Sequence, residues 1–284
     1  MQTWAITTSV LLWGSAFVAI RHVGVEFSAG PLALARLFTA GVVLGIVVLL
    51  RRPGVWPARR AWLKVIVVGL TWFAFYNFAL NWAEQRIDAG TAAMLIGSGP
   101  IFIAVLAGAV LGEGFPRTLV TGTIVALIGM LLIAAATSTE ARTDLLAVLM
   151  CLGAAAAYAI AATVQKPLLA QASALNVTLL TVLVGAAACM PFAPDLIHEV
   201  QAAKATTVGW LIFLGVGPTA LGFTTWAYAL ARSPAGRLSV ATHLVTPVAA
   251  IMSWALLNQT PPILTLVGGA LCLVGVYISR RKAR

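Results

Sequence analysis

Charged residues are scarce: Asp, Glu, Lys and Arg make up 9% of the 284 residues, against about 25% in soluble domains. Hydrophobic residues make up 61%. A water-soluble fold could not bury so much apolar surface, so the composition excludes a soluble globular protein. Residues 32–50 and 120–136 are predominantly apolar runs. Their lengths are close to the roughly 20 residues that carry a helix across a bilayer. They lack the alternation of transmembrane β-strands. The sequence therefore predicts an all-α integral membrane protein.

Cysteines and catalytic motifs are also scarce. Cys151, Cys189 and Cys272 lie far apart inside apolar runs, and this spacing fits neither a metal site nor a disulfide framework. The chain contains no His-x-x-x-Asp and no Gly-x-Ser-x-Gly pattern, and no aspartate lies within an apolar segment. A membrane-embedded enzyme, such as a lipid-modifying transferase or a protease, needs such a constellation. We therefore predict that the protein is not an enzyme and has no metal or other cofactor.

The net charge of +10 does not indicate a nucleic-acid partner, because the basic residues lie at the ends of apolar segments rather than among aromatics. The N-terminal stretch lacks the positive start of a signal peptide, so we interpret it as a first helix. Charges and turn residues divide the chain into ten apolar segments, each predicted to be a transmembrane helix. They are residues 3–21, 31–50, 63–83, 90–111, 117–137, 145–165, 174–193, 207–229, 237–257 and 263–280.

The basic residues also predict an orientation. With the N-terminus in the cytoplasm, 13 of the 18 Lys and Arg residues lie in inner loops, 4 in outer loops and one, Arg36, within a span. This bias satisfies the positive-inside rule. We therefore expect a multi-pass protein of the inner (cytoplasmic) membrane, in contact with the lipid bilayer and with both termini cytoplasmic.

The two halves of the chain resemble each other. WAEQRIDAG at residues 82–90 matches YALARSPAG at 228–236, and TGTIVALIGM at 121–130 matches VGGALCLVGV at 267–276, both 146 positions apart. We therefore divide the chain into residues 1–143 and 144–284. Because each half holds five spans, an odd number, the second half must enter the membrane inverted. Such repeats create a site near the bilayer midplane that can open to either side.

Asn77, Asn81 and Glu84 have helical spacing and share one face of the third span. Exposure to lipid would be costly, so this face should point into the bundle. The two amides could bond neighbouring helices or line a transport path. Glu84, near the outer end of the span, could act in gating or proton coupling, or could be solvated. The second half has apolar residues at the matching positions, which favours cargo or gate roles.

Further polar and aromatic residues are candidates for a substrate cavity. Arg36 lies inside the second span, where it could contact a substrate, join an ion pair or snorkel. His243, a mid-span histidine, could line the cavity, transfer protons or only bond a neighbour. Deep aromatic residues could stack on a cargo or simply pack the core; they are Trp13, Tyr76, Tyr158 and Trp226.

Two prolines occupy matching mid-span places in the two halves, Pro100 and Pro247. A proline removes a backbone hydrogen bond and kinks a helix. We therefore predict that these two positions shape the cavity or act as hinges.

Five features carry a family resemblance. They are LLWGSAFVAIR at residues 11–21, Arg36, NWAEQRIDAGTAAML at 81–95, GPIFIAVLAGAVLGE at 99–113 and HLVTPVAAIMSWALLNQ at 243–259. In this order they cover essentially the whole chain. The sequence resembles the EamA-type exporters of the drug/metabolite transporter superfamily. One departure is that Gly112–Glu113 of the first half is replaced by Asn258–Gln259 in the second.

The resemblance implies two EamA-like five-helix repeats, the second inverted, and export of small metabolites without nucleotide or metal. It also implies a cavity formed by spans 1, 3, 4, 6, 8 and 9, with spans 5 and 10 peripheral.

We therefore predict a secondary transporter that exports a small-molecule substrate by alternating access, with amino acids or related metabolites as the preferred cargo. An exporter of organic cations or many drugs is the alternative. It is less favoured because no carboxylate lies mid-span. The protein could be a monomer or homodimer, and proton coupling, facilitation and exchange all stay open.

Overall fold

Every described secondary-structure element is a helix in the computed structural model of the chain, which describes residues 2–51, 54–86, 92, 95–137, 144–257 and 263–281. The prediction of an all-helical protein is confirmed. The helices are α1, Thr3–Val23; α2, Ala29–Leu50; α3, Arg59–Glu84; α4, Gly99–Val110; α5, Arg117–Thr137; α6, Leu145–Leu169; α7, Ala174–Ala202; α8, Ala205–Arg232; α9, residues 235–257; and α10, Ile263–Arg280.

Seven helices in the described part of the chain are long and apolar enough to cross a membrane, namely α1 to α3 and α6 to α9. Shorter apolar stretches occur in α4, α5 and α10. Among the described helices, α6 and α7 are capped by the side chain of their own N-cap residue: the Asp144 carboxylate accepts from the amide of Leu146 at 2.9 Å, and the Ser173 hydroxyl accepts from the amide of Asn176 at 3.3 Å. Such caps satisfy amides that have no partner within the helix.

Helices α3 and α8 each contain an eight-residue π-helical segment, Gly69–Tyr76 and Gly215–Gly222. The two segments are 146 positions apart, the same separation as the sequence repeats. Each begins with a glycine at a close helix contact. A Cβ on Gly69 would lie 2.8 Å from the carbonyl oxygen of Thr181 in α7, and one on Gly215 would lie 3.1 Å from that of Arg36 in α2. π-helical segments are rare in proteins, and those that occur are often at functional sites.

Helices α5 and α10 pack antiparallel through paired glycines. A Cβ on Gly122 would lie 2.6 Å from the carbonyl oxygen of Gly275, and one on Gly129 would lie 2.5 Å from that of Gly268. Residue numbers rise along one helix as they fall along the other, which establishes the antiparallel direction. Small residues allow this approach, as they do in other membrane helix pairs.

The structure lengthens one predicted span. Helix α7 continues past residue 193 through a 3₁₀ turn, Met190–Phe192, into the helical segment Ala193–Ala202, where a loop is expected from the sequence. Pro194 lies in the first turn of this segment, and Asp195 places an acidic side chain near its start. Both features favour helix initiation.

Hydrogen bonds made by loop residues connect the two halves of the chain at both ends of the bundle. At the end where Gln2 lies, the Asn176 side chain donates to the carbonyl of Gly54 at 2.9 Å. At the opposite end, Ser28 donates from its hydroxyl to Glu199 at 2.6 Å, and the amide of Lys204 donates to Glu26 at 2.9 Å. The Lys204 amide holds the pKa of Glu26 below its usual value.

Candidate substrate cavity

A cavity of about 100 Å³ lies between the helices of the two halves. Its described wall includes residues of α1, α2, α3, α5, α6, α8 and α9, and residues 96–100 at the start of α4. It extends from Trp13, Tyr158 and Phe223 in the middle of their helices towards Ile20 and Leu80, which lie near the ends of α1 and α3. The cavity therefore occupies the half of the bundle that lies away from Gln2.

Most of the residues singled out in the sequence lie in this wall. Those in it are Trp13, Arg36, Tyr76, Asn77, Pro100, Tyr158 and His243. The others, Asn81, Glu84, Trp226 and Pro247, are not among the wall residues.

Arg36 is the only charged residue in the described cavity wall. Its side chain is buried, and its Nε donates to the hydroxyl of Thr219 at 3.4 Å. That bond is its only hydrogen bond or ion pair among the described residues. Thr219 belongs to the π segment of α8 and donates in turn to the carbonyl of Leu214 at 2.7 Å. Glu84 acts on Arg36 only at longer range, without an ion pair. A buried cation in this position can bind an anionic group of a cargo.

His243 and Asn81 are buried side chains without hydrogen-bond partners among the described residues. Neither ring nitrogen of His243 is bonded, and neither are the amide oxygen and nitrogen of Asn81. Buried polar groups are usually paired because an unpaired group loses its hydration. His243 lies in the wall, on the 3₁₀ segment Val240–Leu244, so a polar cargo could satisfy it.

Asn81 and Glu84 lie beyond the cavity, on the last part of α3. One carboxylate oxygen of Glu84 is buried without a partner among the described residues. Gln85, the next residue, donates to the carbonyl of Phe27 at 3.5 Å.

Aromatic rings form one side of the cavity. Trp13 lies 5.2 Å from Phe223 and 5.1 Å from Trp226, and Trp72 lies 5.0 Å from Tyr158, all between ring centroids. Such distances are typical of favourable aromatic pairs. Trp226 lies behind Trp13 and supports the wall without entering it. Trp72 and Phe223, absent from the predicted site, are both wall residues.

Both prolines lie where a regular α-helix begins after an irregular stretch. Pro100 is in the first turn of α4, directly after the turn at residues 97–98. Pro247 is in the first turn of the segment Val245–Leu257, which follows the 3₁₀ segment of α9. Proline is well tolerated there because first-turn amides have no partner within the helix.

The helices around the cavity are those expected from the resemblance, with two additions. Helix α2 contributes Arg36 to the wall, and α5 contributes Met130. Helix α5 nevertheless packs mainly against α10. No periodic signal distinguishes Met130 from its apolar neighbours, so its position depends on how α5 crosses the bundle.

Asn77 connects the cavity wall to the π segment of α3. Its amide nitrogen donates to the carbonyls of Phe73 at 2.9 Å and Trp72 at 3.2 Å. We expect Asn77→Leu to lower the free energy of unfolding by about 1–2 kcal/mol, because both hydrogen bonds are lost. Denaturant titration of the purified protein measures this. Thr71→Val, which removes one hydroxyl bond to Val67 in the same segment, should cost less; an equal loss would contradict the assignment.

The fold and the cavity together define a class: a multi-pass helical membrane protein with an internal site of small-molecule size. The model of the EamA-like transporter family matches the chain twice, over residues 3–135 and 145–281. The chain belongs to the EamA-like transporter family.

Similar proteins agree with this assignment. The chain is 34% identical to a probable terminal-alkyne amino-acid exporter of Streptantibioticus cattleyicolor, over 98% of this chain and 93% of that protein. It is 29% identical to an uncharacterized transporter of Archaeoglobus fulgidus, over 99% and 100% of the two chains. A protein of known crystal structure has the same fold, with a TM-score of 0.80 at 17% identity, over 98% of this chain and 96% of that one.

Proposed function

We propose that this protein is a secondary transporter that exports a small amino acid or a related carboxylate-bearing metabolite by alternating access. The observation that carries the proposal is Arg36, a buried cation in the cavity wall without an ion-pair partner among the described residues. A cargo carboxylate would supply a close ion-pair partner. The name of the Streptantibioticus relative, a probable amino-acid exporter, supports the same cargo class.

The cavity also favours a small cargo over a drug-sized cation. Its volume of about 100 Å³ is below the about 300–1,000 Å³ of pockets for drug-sized ligands. Exporters of organic cations usually carry a carboxylate in the membrane that neutralises the cation, whereas the described wall contains the cation Arg36. The aromatic rings near Trp13 and Trp72 would then contact the apolar part of the cargo. His243 and Asn77 are the polar groups proposed for its remaining donors and acceptors.

For the membrane arrangement, we propose ten spans in two inverted repeats, residues 1–143 and 144–284, with α4, α5 and α10 crossing in addition to the seven longer helices. Three observations support this proposal. The π segments of α3 and α8 lie 146 positions apart, and α5 and α10, which match in the repeat, pack antiparallel. The family model also matches once in each half.

We further propose that both termini are cytoplasmic and that the membrane is the inner, cytoplasmic one. The excess of basic residues in the loops near Gln2 supports this orientation. In this arrangement Pro100 and Pro247 mark the points where the helices beside the cavity bend. Glu84 lies near the outer end of the path, where it could act in gating or proton coupling.

A transport measurement tests the proposed function. Purified protein in proteoliposomes should show saturable counterflow of a radiolabelled amino acid, with competition by amino acids that carry a free carboxylate. Their amides and organic cations should compete poorly, because neither supplies a negative charge to Arg36. Saturable flux of organic cations alone would favour the drug-export alternative, and no saturable flux of any of these solutes would contradict transport.

A further inference from the structure

Three side chains converge on the α8–α9 turn, residues 232–236, at the end of the bundle where Gln2 lies. The Glu113 carboxylate accepts from the backbone amides of Ala235 at 2.7 Å and Gly236 at 3.0 Å. The Lys166 ammonium donates to the carbonyls of Leu230 and Ser233, both at 2.6 Å. No other turn in the described part of the chain receives both an anion and a cation in this way.

The charges match the helix ends that they contact. Helix α8 ends at the turn, where its free carbonyls carry partial negative charge, and Lys166 bonds there. Helix α9 begins at the turn, where its free amides carry partial positive charge, and Glu113 bonds there. Ion-to-backbone bonds of this kind are short and stronger than neutral ones.

Gln2 adds a third contact to the same turn. Its side-chain amide donates to the carbonyl of Arg232 at 2.8 Å and accepts from the Ser233 hydroxyl at 2.6 Å. Gln2 and Glu113 belong to the first half of the chain and the turn to the second. The turn is therefore held across the boundary between the halves.

Glu113 owes its position to two glycines. Gly112 and Gly114 have φ of 68° and 67°, the left-handed region that other residues rarely adopt. They reverse the chain between α4 and α5, and the residue between them carries the carboxylate. The matching positions in the second half, Asn258–Gln259, lack this acidic residue.

Between this turn and the cavity lies a layer of buried side chains. Ser9 of α1 is fully buried; it donates to the carbonyl of Gly222 at 3.0 Å and its hydroxyl lies 2.8 Å from that of Thr225. In α9, the Ser239 hydroxyl donates to the carbonyl of Pro100 at 3.3 Å. With Trp226 also buried, this layer closes the cavity towards Gln2.

We propose that Glu113 and Lys166 are positioning residues for transport, which hold the α8–α9 turn across the exit of the cavity and release it when that exit opens. The inference rests on the alternating access proposed above, and in the proposed orientation this exit is the cytoplasmic one. The loop contacts of Asn176 and of Glu199 occur at opposite ends of the bundle. Together they therefore favour neither the state that is open at one end nor the state that is open at the other. The bonds of Glu113 and Lys166 act at one end only.

The matching cation at the opposite end behaves differently. WGSAFVAIR at residues 13–21 matches YAIAATVQK at 158–166 more weakly, 145 positions apart, so Arg21 takes the place of Lys166 in the first half. Arg21 is exposed, without a hydrogen bond among the described residues. Lys166, in contrast, makes two short bonds to the backbone of α8 and the turn.

Cysteine accessibility tests the proposal without any cargo. Ser9→Cys places a thiol in the buried layer, and a membrane-impermeant maleimide is added from the cytoplasmic face to inside-out vesicles. Labelling should be low in the parent and should rise about tenfold in Glu113→Gln and in Lys166→Met, because loss of a charge-assisted bond shifts the population towards the open state. Lys166→Arg, which keeps the cation, should retain low labelling.

Two controls make the result specific. Arg232→Gln removes a cation of the same turn and should leave labelling at the parent level. Among the described residues, its guanidinium hydrogen-bonds only within its own helix, to the carbonyl of Tyr228 at 3.1 Å. The same variants without Ser9→Cys report the buried native cysteines, which should stay unlabelled. The proposal would be overturned if Ser9→Cys were labelled at the parent level in both Glu113→Gln and Lys166→Met. It would also be overturned if the native cysteines were labelled as strongly as Ser9→Cys. Because no solute is used, this result is independent of the flux measurement.

Discussion

Arg36→Met should weaken binding of a carboxylate cargo by at least about 30-fold, because losing the partner of a desolvated charge pair costs about 2–5 kcal/mol. The half-saturation concentration for counterflow in proteoliposomes measures this change. Arg36→Lys should retain part of the affinity, since the positive charge stays while the planar geometry of the guanidinium is lost. The free energy of unfolding should not fall in Arg36→Met, because this removes the desolvation cost of a buried charge that makes no ion pair among the described residues.

The cargo itself provides the sharpest control for this prediction. The unmodified protein should prefer an amino acid over its amide, and Arg36→Met should lose that preference. Arg86→Gln is the matched variant, since Arg86 is an exposed arginine whose guanidinium lies 3.5 Å from the Trp82 ring centroid. It should bind cargo as the unmodified protein does. An unchanged preference for the acid in Arg36→Met would show that the carboxylate binds elsewhere.

Gly129→Val should lower the free energy of unfolding by at least about 3 kcal/mol, at the upper end of the usual cost of overpacking. The added Cβ would meet two backbone atoms, the carbonyl oxygen of Gly268 at 2.5 Å and the amide nitrogen of Cys272 at 2.8 Å. Backbone cannot rotate away as a side chain does, so α5 and α10 would have to separate. Unfolding in detergent, followed by tryptophan fluorescence, measures the loss.

Gly45→Val is the matched substitution in another apolar helix. A Cβ on Gly45 has no atom within 4 Å, so the change should stay within about 0.5 kcal/mol, as surface substitutions usually do. Similar losses in both variants would mean that glycine is needed for helix flexibility in general. A loss confined to Gly129→Val would support close packing of α5 on α10.

The sequence was sufficient to predict the helical class, because 61% hydrophobic residues in long runs have few alternatives. Seven of the eleven residues singled out in the sequence lie in the described cavity wall. Arg36, Asn77 and His243 could be identified because a polar group in an apolar span has a cost that only an interior position or a ligand offsets. The family match confirms the resemblance drawn from the motifs.

Other parts of the site could not be predicted from the sequence, for identifiable physical reasons. The π segments depend on how α3 and α8 pack against α7 and α2, which no local pattern encodes. Met130 and Phe223 are apolar residues like their neighbours in the sequence. They face the cavity because of the way their helices cross the bundle. The helix at Ala193–Ala202 has a readable start in Pro194 and Asp195, but its amphipathic composition resembles that of a polar loop.

The π segment of α3 has a consequence for how this family can diversify. At the start of the segment, Gly69 lies against α7; after the segment, Asn77 and Leu80 line the cavity. The wider turns of a π segment rotate the residues of α3 that follow it about the helix axis. The direction in which Asn77 and Leu80 point is therefore not fixed by the contact of Gly69 with α7. Substitutions on the cavity side can therefore accumulate without disturbing the α3–α7 interface. A lineage could change its cargo while keeping the same frame, and the matching segment of α8 gives the second half the same freedom.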